Sequence, residues 1–191
     1  VARRYYEIPK EERNGKCQIT ASTSFFIPKP FTPFQWAAMH TAEEYLDKAR
    51  IVNQEFREQH NRKSLRYNWH AADVTVLEGV MARGDRKIGQ VILEAYRRGC
   101  LYDAWSEEFD NEKWLQAFAD TNIDIAFYNL RTRELDEVFP WDFIDIGVTK
   151  SFLKQEWNNA LAEHVTPNCR MQCSGCGMGT FEGGVCLESS N

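Results

Sequence analysis

The stretch Cys17-Gln-Ile-Thr-Ala-Ser-Thr-Ser-Phe-Phe-Ile-Pro-Lys-Pro-Phe-Thr-Pro33 decides how the rest of the chain is read. Residues 17 to 26 are β-branched and aromatic, the composition of a pleated, half-buried strand. Pro28, Pro30 and Pro33 then remove backbone donors and fix φ, so the segment neither pairs inside a sheet nor continues as a helix. A strand feeding a rigid loop follows. Downstream, Thr41 with Glu44 three residues on forms a capping box, and Ala42, Tyr45, Leu46, Ala49, Val52 and Phe56 recur at helical spacing to about residue 60.

The same alternation continues outward. Leu65 to Trp69 reads as a short strand, and a helical stretch with Val74, Leu77, Val80 and Met81 on one face runs from Ala71 to Gly84. Asp85 is placed to cap a further helix with Ile88, Val91, Ile92, Ala95 and Tyr96 on its apolar face, closed by Gly99 at C′. Leu101 to Trp105 reads as another strand, Asp110 caps a helix carrying Trp114, Leu115 and Phe118, and Ile123 to Tyr128 reads as a strand. A Pro-interrupted aromatic loop over 138–147 precedes a helix capped by Thr149 with Phe152, Leu153, Trp157, Ala160 and Leu161. The expected fold class is α/β, with three or four mainly parallel strands alternating with helices.

The chain of 191 residues is long enough to bury a core, and 43% hydrophobic residues with six Trp and twelve Phe exclude disorder as the main reading. A net charge of -5 argues against a protein that coats nucleic acid. No apolar run approaches the roughly eighteen residues of a membrane span. Arg3, Arg4, Glu7, Lys10, Glu11, Glu12 and Arg13 leave no room for a signal peptide, so a cytoplasmic setting is expected. The start at Val1 suggests a piece of something longer. Neither common glycine-rich phosphate fingerprint is present.

Six cysteines in such a setting read as thiols available to metal. Cys169, Cys173, Cys176 and Cys186 form a C-x3-C-x2-C-x9-C array in a Gly- and Ser-rich tail from Thr166 onward that has little apolar content to fold on. A closed four-cysteine site, either an iron–sulfur cluster or Zn2+, is expected there, with Gly175 and Gly177 supplying backbone freedom. Cys17 and Cys100 read as core packing.

Ser24-Phe-Phe-Ile-Pro-Lys-Pro-Phe-Thr-Pro-Phe-Gln-Trp36 resembles the end of the last strand of the radical S-adenosylmethionine core, in a family of radical enzymes with an N-terminal cobalamin-binding domain. The likeness extends through Trp69-His70, Leu77-Glu78, Arg83-Gly-Asp-Arg86, Gly99-Cys100, Trp105-Ser-Glu107, Phe127-Tyr128, Pro140-Trp-Asp142, Gly147-Val148 and Thr166-Pro-Asn-Cys-Arg170. The resemblance implies that residues 1–60 are the end of the radical core with its closing barrel strand, 61–165 an α/β extension and 166–191 a Cys-rich metal-binding tail. It implies S-adenosylmethionine and cobalamin as cofactors of a complete enzyme, with Phe26 and Ile27 as apolar contacts to the adenine. The cobalamin region and the N-terminal cluster triad are not in these residues, so the chain alone is not expected to be catalytically competent, and no catalytic residue is assigned.

Several residues carry a plainer reading beside a functional one. His70, after a strand, is a candidate cofactor contact, beside the commoner reading of a hydrogen-bonded structural His. Arg83-Gly84-Asp85 reads as a helix stop followed by a cap, and Glu78, Asp85, Arg83 and Arg86 as a salt-bridged junction. Arg131, Arg133, Glu134, Asp136 and Glu137 read as a solvated charge run. Trp36, Trp105, Trp114, Trp141 and Trp157 are expected mostly in the core, while Phe31, Phe34 and Trp36 on the proline loop are candidates for a substrate wall, with Lys29 beside them. The alternative function is a zinc-stabilised module that docks a protein or RNA through Arg3, Arg4, Arg62, Lys63 and Arg66.

Overall fold

The computed structural model describes residues 1–180. They form a mixed α/β chain, mostly helical, with one two-stranded parallel sheet. In order these are α1 (Ala2–Glu7), β1 (Ile19–Thr23), α2 (Ala42–Glu58), β2 (Leu65–Trp69), α3 (Ala72–Arg83), α4 (Ile88–Arg97), α5 (Asn111–Asp120), α6 (Ile125–Asn129) and α7 (Lys150–Leu161). The described residues divide into two compact units, one of 1–27 with 40–78, the other of 28–39 with the residues from 79 onward.

In the first unit β1, α2 and β2 make a parallel crossover, with Ile19 opposite Leu65 and Thr23 opposite Trp69. The capping box starts α2 as expected: Thr41 Oγ1 accepts the Glu44 N–H at 3.2 Å, and Glu44 returns a carboxylate oxygen to the Thr41 N–H at 2.8 Å. Tyr45 and Ala49 face inward from α2, and Phe56 packs on Tyr67 of β2. β1 and β2 are the whole of this sheet among the described residues.

The second unit has no strand among its described residues, so the expected third and fourth strands are corrected. Leu101 to Trp105 is a turn, closed by the Trp105 N–H on the Tyr102 carbonyl at 3.0 Å, with Leu101, Tyr102 and Trp105 all exposed. Those three find no sheet face to pack on, and Asp103 is drawn instead to Trp114 Nε1 at 3.2 Å. The expected strand over 123–128 is interrupted by α6, because Asn122 turns the chain at φ +54 and Asp124 caps the next residues, its carboxylate accepting the Ala126 N–H at 2.8 Å. The expected helices over 72–83, 88–97, 111–120 and 150–161 are present, Gly99 ending α4 at φ +88. Asp85 meets the Lys87 N–H at 2.8 Å, within the turn that leads into α4.

The core of the second unit is Trp36, Phe139, Trp141 and Leu153, with Phe31, Val148, Phe152 and Trp157 packed around it. Trp36 is therefore core and not a pocket wall, and Trp105 is exposed rather than core. Arg133, expected in a solvated run, is only 4% exposed. Its guanidinium lies 5.3 Å from the ring centres of both Phe139 and Trp141 and donates to the Arg83 carbonyl at 3.0 Å. Arg83, 1% exposed, donates to the carbonyls of Tyr128 at 3.0 Å and Ala37 at 2.8 Å, a role that no charge-run pattern announces.

Candidate functional site

Three places carry the residues singled out from the sequence. The first is the carboxyl end of the β1–β2 pair, where open parallel sheets present ligand-contacting residues. The ladder ends with the His70 N–H on the Thr23 carbonyl at 3.3 Å, so His70 and the residues that follow Thr23 leave the sheet at the same end. His70 and Phe26 are exposed, and Ile27 is half-buried. Tyr45 fixes the course of the chain here. Its ring stacks on Phe25 with centres 4.6 Å apart, and its hydroxyl donates to the Phe26 carbonyl at 2.5 Å while accepting the His40 N–H at 3.3 Å.

Around Tyr45, the His40 ring meets its edge at 5.5 Å, and His40 Nδ1 stands 3.4 Å from a Glu44 carboxylate oxygen. The Thr41 backbone bond, foremost, with the Thr41 hydroxyl and His40 adding to it, holds the Glu44 carboxyl below its ordinary range. On β2, Tyr67 shares a hydrogen bond with Thr23 Oγ1 at 2.7 Å and packs on Trp69. At this end of the sheet the Phe26 side chain and His70 are exposed, on a backbone tied down at the Phe26 carbonyl and at the His70 N–H. Tyr45 and His40 are the neighbours of Phe26 that the sequence reading did not single out. Both flank the capping box, which was read for the helix it starts and not for the ring it places.

The second place is the cysteine tail. Cys169 and Cys173 are exposed free thiols, and Cys176 is half-buried. Cys186 lies outside the described residues. Three thiols outside any disulfide suit zinc or iron chemically. Among the described residues, however, no three of His, Cys, Asp and Glu come together as a group that holds a metal. The donors fit, and the described part of the tail does not assemble them. Cys17 and Cys100 stand apart from the tail in sequence, half-buried, and burial pushes the Cys100 thiol up.

A cleft of about 450 Å³ lies in the second unit between the proline loop and the loop over 142–150. Phe31, in the left-handed region at φ +59, lines it with Gln35, whose side-chain oxygen accepts the Phe31 N–H at 3.2 Å and Trp141 Nε1 at 2.9 Å. Lys150 on the opposite wall pairs with Asp142. Phe31 thus lines this cleft and also packs against the Trp36 core.

Among the described residues no helix is long and apolar enough to cross a membrane. No family model matches the chain, and neither a curated protein nor a solved structure matches it significantly.

Proposed function

We propose that this chain is the C-terminal part of a radical S-adenosylmethionine iron–sulfur enzyme of the cobalamin-binding-domain type, carrying out a radical methylation or rearrangement. The observation that carries the reading is the β1–α2–β2 unit with the Ser24–Trp36 segment at its carboxyl end. A barrel of this kind is built from parallel strands joined by crossover helices, and the quoted motif leaves β1 where such barrels bind ligands. In this reading β1 is the last strand of the core barrel, and β2 opens the α/β extension that follows it.

Each residue then has a defined task. Phe26 lays an apolar ring against the adenine, Ile27 adds to that wall, and Tyr45 fixes both by holding the Phe26 carbonyl. His70 offers an imidazole from the neighbouring strand end. The cluster and S-adenosylmethionine, when bound, supply the radical chemistry. Cys169, Cys173, Cys176 and Cys186 are the ligands proposed for a further iron–sulfur cluster or Zn2+ in the tail. A cytoplasmic setting belongs to the same proposal.

The test is expression of the complete natural reading frame under anaerobic conditions, with reductant and S-adenosylmethionine. Formation of 5′-deoxyadenosine, and its loss when an upstream C-x3-C-x2-C triad is changed to alanine, is the expected result. A reading frame that starts immediately before Val1, or a protein that binds zinc and RNA and forms no 5′-deoxyadenosine, overturns it in favour of an interaction module. Phe26→Ala in the complete protein should raise the dissociation constant for S-adenosylmethionine.

A further inference from the structure

Gly177 sits at φ +108, a conformation that residues with side chains rarely adopt. A Cβ there would stand 2.6 Å from the Gly147 carbonyl oxygen and 2.9 Å from Thr149 Cγ2. The approach is this close because the preceding carbonyl, that of Cys176, accepts the Thr149 N–H at 2.8 Å. The surface it meets is itself braced. The Gly147 N–H is held by the Asp145 carboxylate at 2.8 Å, and Thr149 Oγ1 accepts the Phe152 N–H at 3.2 Å as the N-cap of α7. Lys150 donates to the Glu137 carbonyl at 2.7 Å. The tail is thus tied to α7 at its start, where the Thr166 hydroxyl donates to Glu156 at 2.8 Å, and pinned again at the Cys176–Gly177 step, which contains a cysteine. Cys176 is half-buried, while Cys169 and Cys173, before it in the chain, are exposed.

We propose that Gly147–Thr149 is a seat that pre-positions Cys176 as the anchoring thiol, onto which Cys169 and Cys173 close when the site loads. A ligand already held in place loses less conformational freedom on coordination than one on a free chain, so a single fixed thiol raises the affinity of the whole set. The seat stands on the geometry alone. Its part in metal capture rests on reading the tail as a metal site.

Three forms of the full chain separate the two. Gly177→Ala puts a methyl group into the Gly147 carbonyl, whereas Gly179→Ala, two residues on, meets nothing within 4 Å and serves as the control. With iodoacetamide and peptide mass spectrometry, Cys176 in the parent should react about tenfold more slowly than Cys169 and Cys173, since its exposure depends on the seat opening. Gly177→Ala should abolish that difference and Gly179→Ala should leave it. In a Co2+ titration followed by thiolate-to-metal absorption, Gly177→Ala should weaken binding about tenfold, the order expected from losing one pre-organised ligand. Equal alkylation of the three thiols in the parent, or protection of Cys176 that survives Gly177→Ala, overturns the seat. Equal Co2+ affinity in the parent and Gly177→Ala overturns the anchoring role. A parent that protects Cys176 yet shows no thiolate–Co2+ absorption overturns the metal reading of the tail and leaves the seat intact.

Discussion

The two compact units hold their backbones by different means. In the first, main-chain groups satisfy one another through the β1–β2 ladder and the turns of α2, and side chains such as Tyr45 add single ties. In the second, long irregular segments are held by side chains reaching into the backbone: Arg83 to Ala37 and Tyr128, Arg133 to Arg83, Asp142 to the Phe139 N–H, Lys150 to Glu137. A buried carbonyl without a donor is costly, so a unit that lacks a ladder must supply donors from side chains. Stability in the second unit is accordingly concentrated in a few residues.

That concentration is what the largest effect would reveal. Replacing Arg83 by Leu leaves the Ala37 and Tyr128 carbonyls without their buried donor. At the strength of hydrogen bonds from a charged group, the loss should be about 3–5 kcal/mol, read as a lowered urea midpoint. Trp36→Ala, at the centre of the aromatic core, should cost a similar amount through the cavity it leaves. Arg83→Leu within about 1 kcal/mol of the parent would mean that the second unit does not depend on its side-chain donors.

The tie in the first unit should cost less. Tyr45→Phe keeps the ring on Phe25 and removes the hydroxyl between His40 and Phe26. A loss of about 1–2 kcal/mol is expected, with faster amide exchange over residues 24–27. A cost matching that of Arg83→Leu would erase the distinction between the units.

The same distinction explains how much was legible in the sequence. Helices announce themselves by spacing and by caps, so α2, α3, α4, α5 and α7 were readable, as were both strands that found a partner. Strand-like composition over 101–105 and 123–128 misled, because composition reports a preference for a pleated face and not whether a neighbouring strand exists to provide one. Arg133 was unreadable for another reason: its burial depends on Phe139 and Trp141, whose arrangement around it is a product of the fold. The exposed sheet-end position of His70 could be read from the strand before it, but Tyr45, whose hydroxyl holds the Phe26 carbonyl, was hidden in a helix pattern. Of the tail, spacing announced the cysteines, while the seat on Gly147–Thr149 rests on a conformation that spacing does not encode.

Asp124 sharpens the point about composition. Its carboxylate on the Ala126 N–H is the local signal that turns a strand-like stretch into α6. Asp124→Ala should cost about 1 kcal/mol, the usual worth of an N-cap. Asp124→Asn, which keeps the acceptor, should restore most of it. If neither change is felt in the urea midpoint, α6 is held by the packing of Tyr128 and Asn129 and not by its cap.

The smallest effect concerns acid. Glu137 receives both terminal nitrogens of Arg131 at 2.7 Å, and Arg131 also donates to the Phe127 carbonyl and lies over the Phe127 ring. These hydrogen bonds from Arg131, before any effect of charge at a distance, hold the Glu137 carboxyl below its ordinary range, while burial works against them. A carboxyl whose pKa is lower in the folded state stabilises the fold above the unfolded value, near 4.3, and that contribution fades as pH falls through the lower folded value. The pair is partly open to solvent, so its worth should stay below about 1 kcal/mol. Glu137→Gln removes the charge and keeps the shape. Its deficit against the parent should be constant from about pH 8 to about pH 5 and should close progressively below about pH 4. A deficit that persists undiminished into strong acid would assign Glu137 to packing, and the second unit would then rest on its buried arginines with no measurable help from this half-buried ion pair.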